Sequence, residues 1–595
     1  MVDSQYRELA PKVSSEDGGD TGASPRSNKT LVKVLSATVI ALALIVGVGV
    51  RVARLDKMPP ALNQDEACDG YDAYSILTTG RDHHGNFLPI VMQGFNDYRM
   101  PLLQYSLVPL VGAFGLKTEV VRLGAAIWGI LDLAAIVCLA GLMLGWPGAA
   151  AAAVFGALSP WHLSFSRFGQ EAITGSATVT LAILFLFAWL SRRKTRYLIL
   201  SGIFLGLSLY SYSVARLATP LIIVLLTILY RRELKDAWPK PLIALSIVVV
   251  FAIPQVVITM RHPAEMQAQY HNLSLFNPDA ICLGCSSEQT KLATKSIPYL
   301  LVANFASNFT ASFLFLNGDR GDHWTMLHPP NFGELLPEQA PLVVLGLFAL
   351  LSERRRRIAI LILGWLIIAA LPAALIKPLG ASLPESGKMP TPYVLLNTRI
   401  PPTPVTPSLL LGHADSRHDI LAVVPWILLS ALGLVVLLDL TSDFPVLQAG
   451  ALVLLLCGVI FHSSRYLRSY FEDFPTIAAP YFQYGIKEAL QTIDRGYSHD
   501  LPVVITPGIN QPYIYVLFFE RYSPAKYQQG TVVQQPGLNS RVEGFDRYRF
   551  VPPLWTLMQL PHGIFVFEGG ERTLLPPDGL IRYPDGNVAY KIVVK

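Results

Sequence analysis

Two carboxylates stand side by side in Leu62-Asn-Gln-Asp65-Glu66-Ala-Cys-Asp-Gly-Tyr71, just beyond the first long apolar run of the chain. At a membrane surface such a pair can take a proton from a hydroxyl or hold a metal, and both jobs belong to transferases that use lipid-carried substrates. A solvated acidic loop is the plain alternative, so the neighbours decide. The same stretch holds Tyr71, Asp72, Tyr74, Arg81, Asp82, His83, His84, Asp97, Tyr98 and Arg99. Aromatic faces stack on the apolar side of a sugar ring, and guanidinium groups match the geometry of phosphate oxygens. Tyr and Arg also anchor at lipid headgroups, which gives each of these residues a second, structural reading.

Further polar groups recur at the ends of apolar runs. Ser159-Pro-Trp-His162-Leu-Ser-Phe-Ser-Arg167-Phe-Gly-Gln-Glu171 sets Arg167 and Glu171 four residues apart, close enough to pair within one turn or to line a cavity together. His162 reads as a packing residue, and Asp132, deep in its span, has no assigned role. Tyr210-Ser-Tyr212-Ser-Val-Ala-Arg216 puts an arginine where it can receive a lipid phosphate or snorkel to headgroups. Asp319, Asp322, His323 and Trp324 follow a tight-turn sequence and can rim a pocket. Their spacing fixes no ligand set, which leaves a divalent cation open and no cofactor implied. Cys282 and Cys285 suit a local disulfide if they lie outside the membrane. Cys68 has no obvious partner, while Cys138 and Cys457 fall in spans as packing residues. Asn272-Leu-Ser and Asn308-Phe-Thr fit the glycosylation acceptor pattern.

Elements spanning a bilayer must position these groups. Over 595 residues the chain is 52% hydrophobic and 15% charged, against roughly 25% charged in soluble domains. The expected fold is an all-α polytopic membrane protein of about eleven transmembrane helices. They are read at Val34–Val50, Val120–Leu144, Gly148–Ser166, Ala172–Leu190, Tyr197–Tyr212, Ser213–Tyr230, Pro241–Met260, Gln339–Leu351, Ile358–Ile376, Ile420–Leu440 and Val446–Phe461. The net charge of +5 sits in clusters beside these runs and speaks to topology, excluding a nucleic-acid partner.

Arg192-Arg193-Lys194, Arg231-Arg232 and Arg354 to Arg357 lie in short connections and are assigned to the cytoplasm. Alternation then puts loops 56–119, 261–338 and 377–419 outside, with Pro101 to Leu116 lying along the interface. Residues 1–30 read as a disordered cytoplasmic tail with no cleavable signal peptide. Residues 31–462 form the membrane domain. After His462, short apolar runs at Leu501–Thr506, Tyr513–Phe519, Tyr548–Val551, Gly563–Phe567 and Val588–Val594 between Pro and Gly turns predict a small soluble α/β domain over 463–595, with a helix at Tyr484–Arg495.

Read together, Pro59-Pro60-Ala-Leu-Asn-Gln-Asp65-Glu66, Gly70-Tyr71-Asp-Ala-Tyr74, Thr79-Gly80-Arg81-Asp82, Phe114-Gly115-Leu with Val121-Arg122-Leu123, and Ser159-Pro160-Trp161-His162 through Glu171 resemble GT-C glycosyltransferases of the protein O-mannosyltransferase and aminoarabinose-transferase type. The resemblance covers most of Leu55 to Arg216. It implies transfer of a sugar, with inversion, from a polyprenyl-phosphate carrier to an acceptor, at the exterior or periplasmic face of a bacterial plasma membrane. Asp65 then corresponds to the catalytic base of the family's first-loop acidic motif, with Glu66 as its neighbour and Glu171 near a second acidic position. Arg81, Arg99 and Arg216 are the choices for donor phosphate. Tyr71, Tyr74, Asp97, Tyr98, Arg167, Tyr212, Asp319, His323 and Trp324 are the choices for the substrate pocket. The long proline-rich loop before the tenth span departs from the family's pattern, and Arg399, Arg417 and His418 in it have no assigned role. Sugar and acceptor are left unidentified. The rival readings are a flippase for a lipid-linked sugar, against which the chain shows no inverted repeat, and a non-enzymatic envelope assembly protein.

Overall fold

A computed structural model describes residues 25–95, 98–263, 266, 273–277, 294–295, 297–319, 327–376, 414–535 and 541–595. The first helix, α1 (Pro25–Val52), is the apolar run expected near the N-terminus. Helix α2 (Gln64–Thr79) carries the acidic pair, and a two-stranded hairpin, β1 (Met92–Gln93) and β2 (Tyr98–Arg99), follows it. Helix α3 (Leu102–Phe114) spans thirteen residues, about 20 Å by helical rise and short of a hydrocarbon core. It packs Leu103 and Leu107 against Gly124 of α4 (Thr118–Leu158), where any side chain would meet Leu107. Helix α4 is two predicted spans joined across a kink at Gly145, whose φ of 78° suits a residue without a side chain.

After α4 come α5 (Pro160–Arg167), α6 (Ala172–Arg192), α7 (Thr195–Ser208), α8 (Ser213–Leu229) and α9 (Lys240–Arg261). The bundle continues with α10 (Ile297–Ser307), α11 (Gln339–Leu347), α12 (Arg356–Ala374), α13 (Val423–Leu440) and α14 (Pro445–Arg468). Among the described residues, eight stretches are long and apolar enough to cross a membrane, and the chain is an integral, multi-pass membrane protein. The number eleven is not fixed by that measure. The kinked α4 counts once, α7, α8 and Gln339–Leu351 are short, and Ile297–Leu316, expected within an outer loop, joins the eight. That stretch is tied to the end of α12, where Asn304 Nδ2 donates to the Ile376 carbonyl at 2.8 Å.

The basic connections meet at one end of the bundle. Arg357 donates to both carboxylate oxygens of Glu233 at 2.6 and 2.8 Å, Arg193 reaches the Glu233 carbonyl, and Arg355 pairs with Asp439. At the opposite end, Trp161 donates its indole N–H to the Ser416 carbonyl at 2.9 Å, and the Leu102 N–H donates to the Tyr210 carbonyl at 3.0 Å. The candidate chemistry gathers there.

The remaining chain forms α15 (Ile486–Gly496), α16 (Pro512–Phe519), α17 (Pro524–Gln529) and α18 (Pro553–Gln559) around a seven-stranded sheet. Its strands are β3 (Val503–Ile505), β4 (Val533–Gln535), β5 (Arg541–Phe545), β6 (Tyr548–Arg549), β7 (Ile564–Glu568), β8 (Gly579–Arg582) and β9 (Val588–Val594), in the order β4-β5-β6-β3-β7-β9-β8. Central β3 runs parallel to both neighbours, and the other pairs are antiparallel. Tyr513–Phe519, one of the strand-length apolar runs, is helical. Gln511 turns the chain in the left-handed region and Pro512 starts a helix that is buried on every side, so no period of two or 3.6 could betray it.

Candidate active site

Helix α2 begins with a capping box. The Asn63 side chain accepts from the Asp65 N–H at 2.9 Å, and Glu66 Oε2 accepts from the Asn63 N–H at 3.0 Å. Glu66 is fully buried and its two oxygens carry further bonds. Arg122 donates to Oε1 from Nε at 2.9 Å and to Oε2 from Nη2 at 3.0 Å, while the Gly169 N–H donates to Oε1 at 2.9 Å. The same Arg122 holds the carbonyls of Leu55, Pro59 and Ala61. Glu66 therefore locks three segments together, and no face of it is open to a reactant.

Asp65 differs. Its side chain is 15% exposed, Arg99 Nη2 donates to Oδ1 at 2.7 Å, and Gln170 donates to Oδ2. A carboxylate has about four lone-pair sites, so each oxygen can accept a further bond from a hydroxyl. The β1–β2 hairpin delivers Arg99, whose guanidinium lies over Phe95 at 5.0 Å. One turn along α2, Asp69 is buried, accepts from Gln104 Nε2 at 2.8 Å, and lies 3.8 Å from Arg99 Nη1. Burial, then the negative charge of Glu171, holds Asp69 well above the usual carboxylate range. It is thus a carboxyl pushed toward its protonated form beside an ion-paired carboxylate.

Glu171 sits at the N-terminus of α6 and shares its field with Tyr212 across the gap to α8. Arg417 and Asp415 act on the same tyrosine. Asp415 shapes that turn, its Oδ1 accepting from the Arg417 and His418 N–H groups at 3.0 and 3.1 Å and its Oδ2 meeting His418 Nδ1 at 2.7 Å. The His418 ring lies 6.4 Å from that of Tyr212. Asp319 borders the region, accepting from the Ser416 N–H and hydroxyl at 2.9 and 2.7 Å. Arg216 is half-buried one turn further along α8 and makes no hydrogen bond to another described residue.

Other sequence candidates lie elsewhere. Arg81 is exposed just past the end of α2, donating to the Gly85 carbonyl at 2.7 Å, and the helix rises about 21 Å from Asp65 to its last residue, Thr79. Arg167 does not pair with Glu171. Its guanidinium caps the end of α1 through the carbonyls of Val50, Arg51, Ala53 and Met58 and stacks on Phe471. Orphan carbonyls at a helix end draw a buried cation more strongly than one carboxylate a turn away. Tyr71 donates its hydroxyl to the Tyr522 carbonyl at 2.8 Å and belongs to the contact with the C-terminal unit, with Tyr74 beside it at 6.1 Å. Tyr98 is half-buried in β2. Asp97, Asp322, His323, Trp324, Arg399, Asn272 and the Cys282/Cys285 pair lie outside the described residues.

Asn308 is buried and its side chain bonds Asn304 and Asp415, so it is closed to glycosylation. Cys138 and Cys457 are exposed on the bundle surface instead of packed inside. Asp132 accepts from Ser176 at 2.6 Å and lies 3.4 Å from His162, which also meets Arg51 at 2.8 Å, a buried network away from Asp65. A cavity of about 160 Å³ between Phe315, Phe332, His462, Arg465 and Tyr466 contains none of the acids described above.

Sequence reading passed over Asp69, Gln170 and Asp415. The first stands at i+4 from Asp65 on one helix face, and Gln170 adjoins the noted Glu171, so both carried a usable signal. Asp415 carried none, since its place depends on how a long loop returns to the bundle.

Residues 101–257 match the family model described as dolichyl-phosphate-mannose-protein mannosyltransferase, which covers α3 through most of α9. No curated protein matches the sequence. Among solved structures, ArnT from Cupriavidus metallidurans in the apo state is 14% identical, with 91% of this chain and 94% of that chain covered at a TM-score of 0.46. The same protein bound to undecaprenyl phosphate is 11% identical over 94% and 97%, at 0.47. The Archaeoglobus fulgidus oligosaccharyltransferase in the apo form is 14% identical over 81% of this chain and 63% of its own, at 0.47.

Proposed function

We propose that the chain is a membrane glycosyltransferase that moves a sugar from a polyprenyl-phosphate-linked donor to an acceptor hydroxyl at the membrane face opposite the basic connections, the exterior face by the positive-inside rule. The observation that carries this reading is Asp65, a carboxylate held in place on both oxygens and still open on one side, at the junction of the loop and the Gln170–Glu171 turn. The family match over 101–257, whose description names a lipid-phosphate-linked mannose, supports the donor class.

Asp65 accepts the proton as the acceptor hydroxyl attacks the anomeric carbon, and the bond to the polyprenyl phosphate breaks on the opposite side, which inverts the centre. Arg99 and Gln170 fix the base, and Asp69, one turn along the helix, faces the same Arg99. Arg216, the half-buried arginine with no described partner, neutralises the departing phosphate. Glu66 positions Asp65 through the helix cap and does not touch the reactants.

The test is to mix the purified protein with a radiolabelled polyprenyl-phosphate sugar. Label should leave the carrier, and Asp65→Asn should slow this by about 10²- to 10⁴-fold. Intact carrier moving between leaflets of a proteoliposome, with no bond broken, would establish the flippase reading instead.

A further inference from the structure

Cys68, Asp72 and His83 form a buried cluster that the proposed sugar transfer does not use. Cys68 and Asp72 stand four residues apart on α2 and so share a face. His83 returns to that face because Gly80, at φ 69°, reverses the chain at the helix end. One ligand atom from each lies within 4.8 Å of the other two. Cys68 Sγ is 3.7 Å from Asp72 Oδ2, and His83 Nδ1 is 2.6 Å from Asp72 Oδ1.

These separations suit a tetrahedral ion. Zinc bonds of about 2.3 Å to sulfur and about 2.1 Å to oxygen or nitrogen set a sulfur–oxygen edge of about 3.6 Å and a nitrogen–oxygen edge of about 3.4 Å. The first is already present. The second needs Asp72 to give up its direct bond to His83, as an entering cation would make it do. The other ring nitrogen, His83 Nε2, faces the Tyr513 hydroxyl at 3.3 Å, the outer partner that a metal-bound imidazole needs for its remaining N–H.

His84 adds an independent observation. Its ring lies 4.0 Å from that of His83, and its Nε2 is buried with no hydrogen-bond partner among the described residues. A plain hydrogen-bonded cluster accounts for Asp72 Oδ1, which accepts from the His83 N–H at 2.9 Å as well as meeting its ring, but leaves the His84 nitrogen unexplained.

We propose that Cys68, Asp72 and His83 bind one zinc ion, with the buried His84 ring packed beside His83. The thiolate and imidazole select zinc over magnesium or calcium. The ion is structural: it pins the loop behind α2 to the helix and, through Tyr513, to the C-terminal unit.

The full chain, purified in detergent from zinc-supplemented cells, should carry about one zinc per molecule by elemental analysis. Replacing the medium zinc with cobalt should give a sulfur-to-cobalt charge-transfer band in the near ultraviolet and the strong visible bands of tetrahedral cobalt. Cys68→Ser, close in size, should remove the charge-transfer band while the protein stays monodisperse. A wild-type chain with no stoichiometric zinc, or a cobalt spectrum unaltered in Cys68→Ser, overturns the assignment. If Cys68→Ser does not fold, the metal content and spectrum of the wild type decide alone. Neither readout depends on sugar transfer, so this site and the proposed reaction fail separately.

Discussion

Three carboxylates within five residues of each other meet different fates, and substitution should separate them. Asp65→Asn keeps the shape of the side chain, so the melting temperature should stay near wild type while turnover collapses. Glu66→Gln removes the charge facing buried Arg122, and breaking such a pair costs about 3–5 kcal/mol. Denaturation in detergent should register that loss. Asp69→Asn keeps an acceptor for Gln104 and removes a carboxyl that burial already pushes toward its protonated form, so it should cost less stability than Glu66→Gln. Position in sequence announced the first two as a unit and could not say which one was tied down. That difference arises from Arg122, Gly169 and Gln170, residues far along the chain whose approach to α2 is a tertiary event.

A titration at Glu568 can be tested in the same way. Burial, then Glu571, raises this carboxyl to about 7. Below the ordinary value near 4.5, folded and unfolded chains are both protonated and the shift has no effect. Between there and about 7 the unfolded chain ionises first, so stability falls as pH rises, by up to about 3 kcal/mol in full. Glu568→Gln should therefore raise the melting temperature at pH 8 and leave it unchanged at pH 4.

Helix α2 is clamped between membrane helices and the C-terminal unit. At Gly70 an added Cβ would stand 2.5 Å from Val121 Cγ2 and 2.7 Å from Phe518 Cε2. Gly70→Ala should accordingly destabilise the chain by about 1–3 kcal/mol through overpacking, and lower activity along with thermal stability. The long apolar elements were legible because hydropathy over 20 residues is a strong signal. The kink at Gly145 and the burial of Tyr513–Phe519 were not, since both depend on neighbours and not on local pattern. Ile297–Leu316 was obscured by its polar surroundings and by its pairing with the end of α12.

Across the molecule, the polar groups separate by end: basic connections at one, the acids and Arg99 at the other. Counting spans between basic clusters anticipated this separation, although the number of spans was not needed for it. The C-terminal unit is legible as α/β from its short runs, but not its attachment. Leu62, Tyr71, Leu103, Leu107 and Val121 share one apolar core with Ile486, Tyr515, Phe518 and Ile564. Gln528 adds bonds to Ser75, Thr79 and the Asp82 carbonyl at 3.0, 3.2 and 2.8 Å. A chain ending after Ala479 should therefore lose sugar transfer, although among the described residues no removed side chain hydrogen-bonds to Asp65. Limited proteolysis should show α2 newly cleavable in that truncation.

The joint core also bears on engineering. A graft that swaps only the terminal unit for one from another protein presents a foreign surface to α2. Such a graft will then keep its packing only when the segment from Leu62 to Gly80 is exchanged in the same cassette.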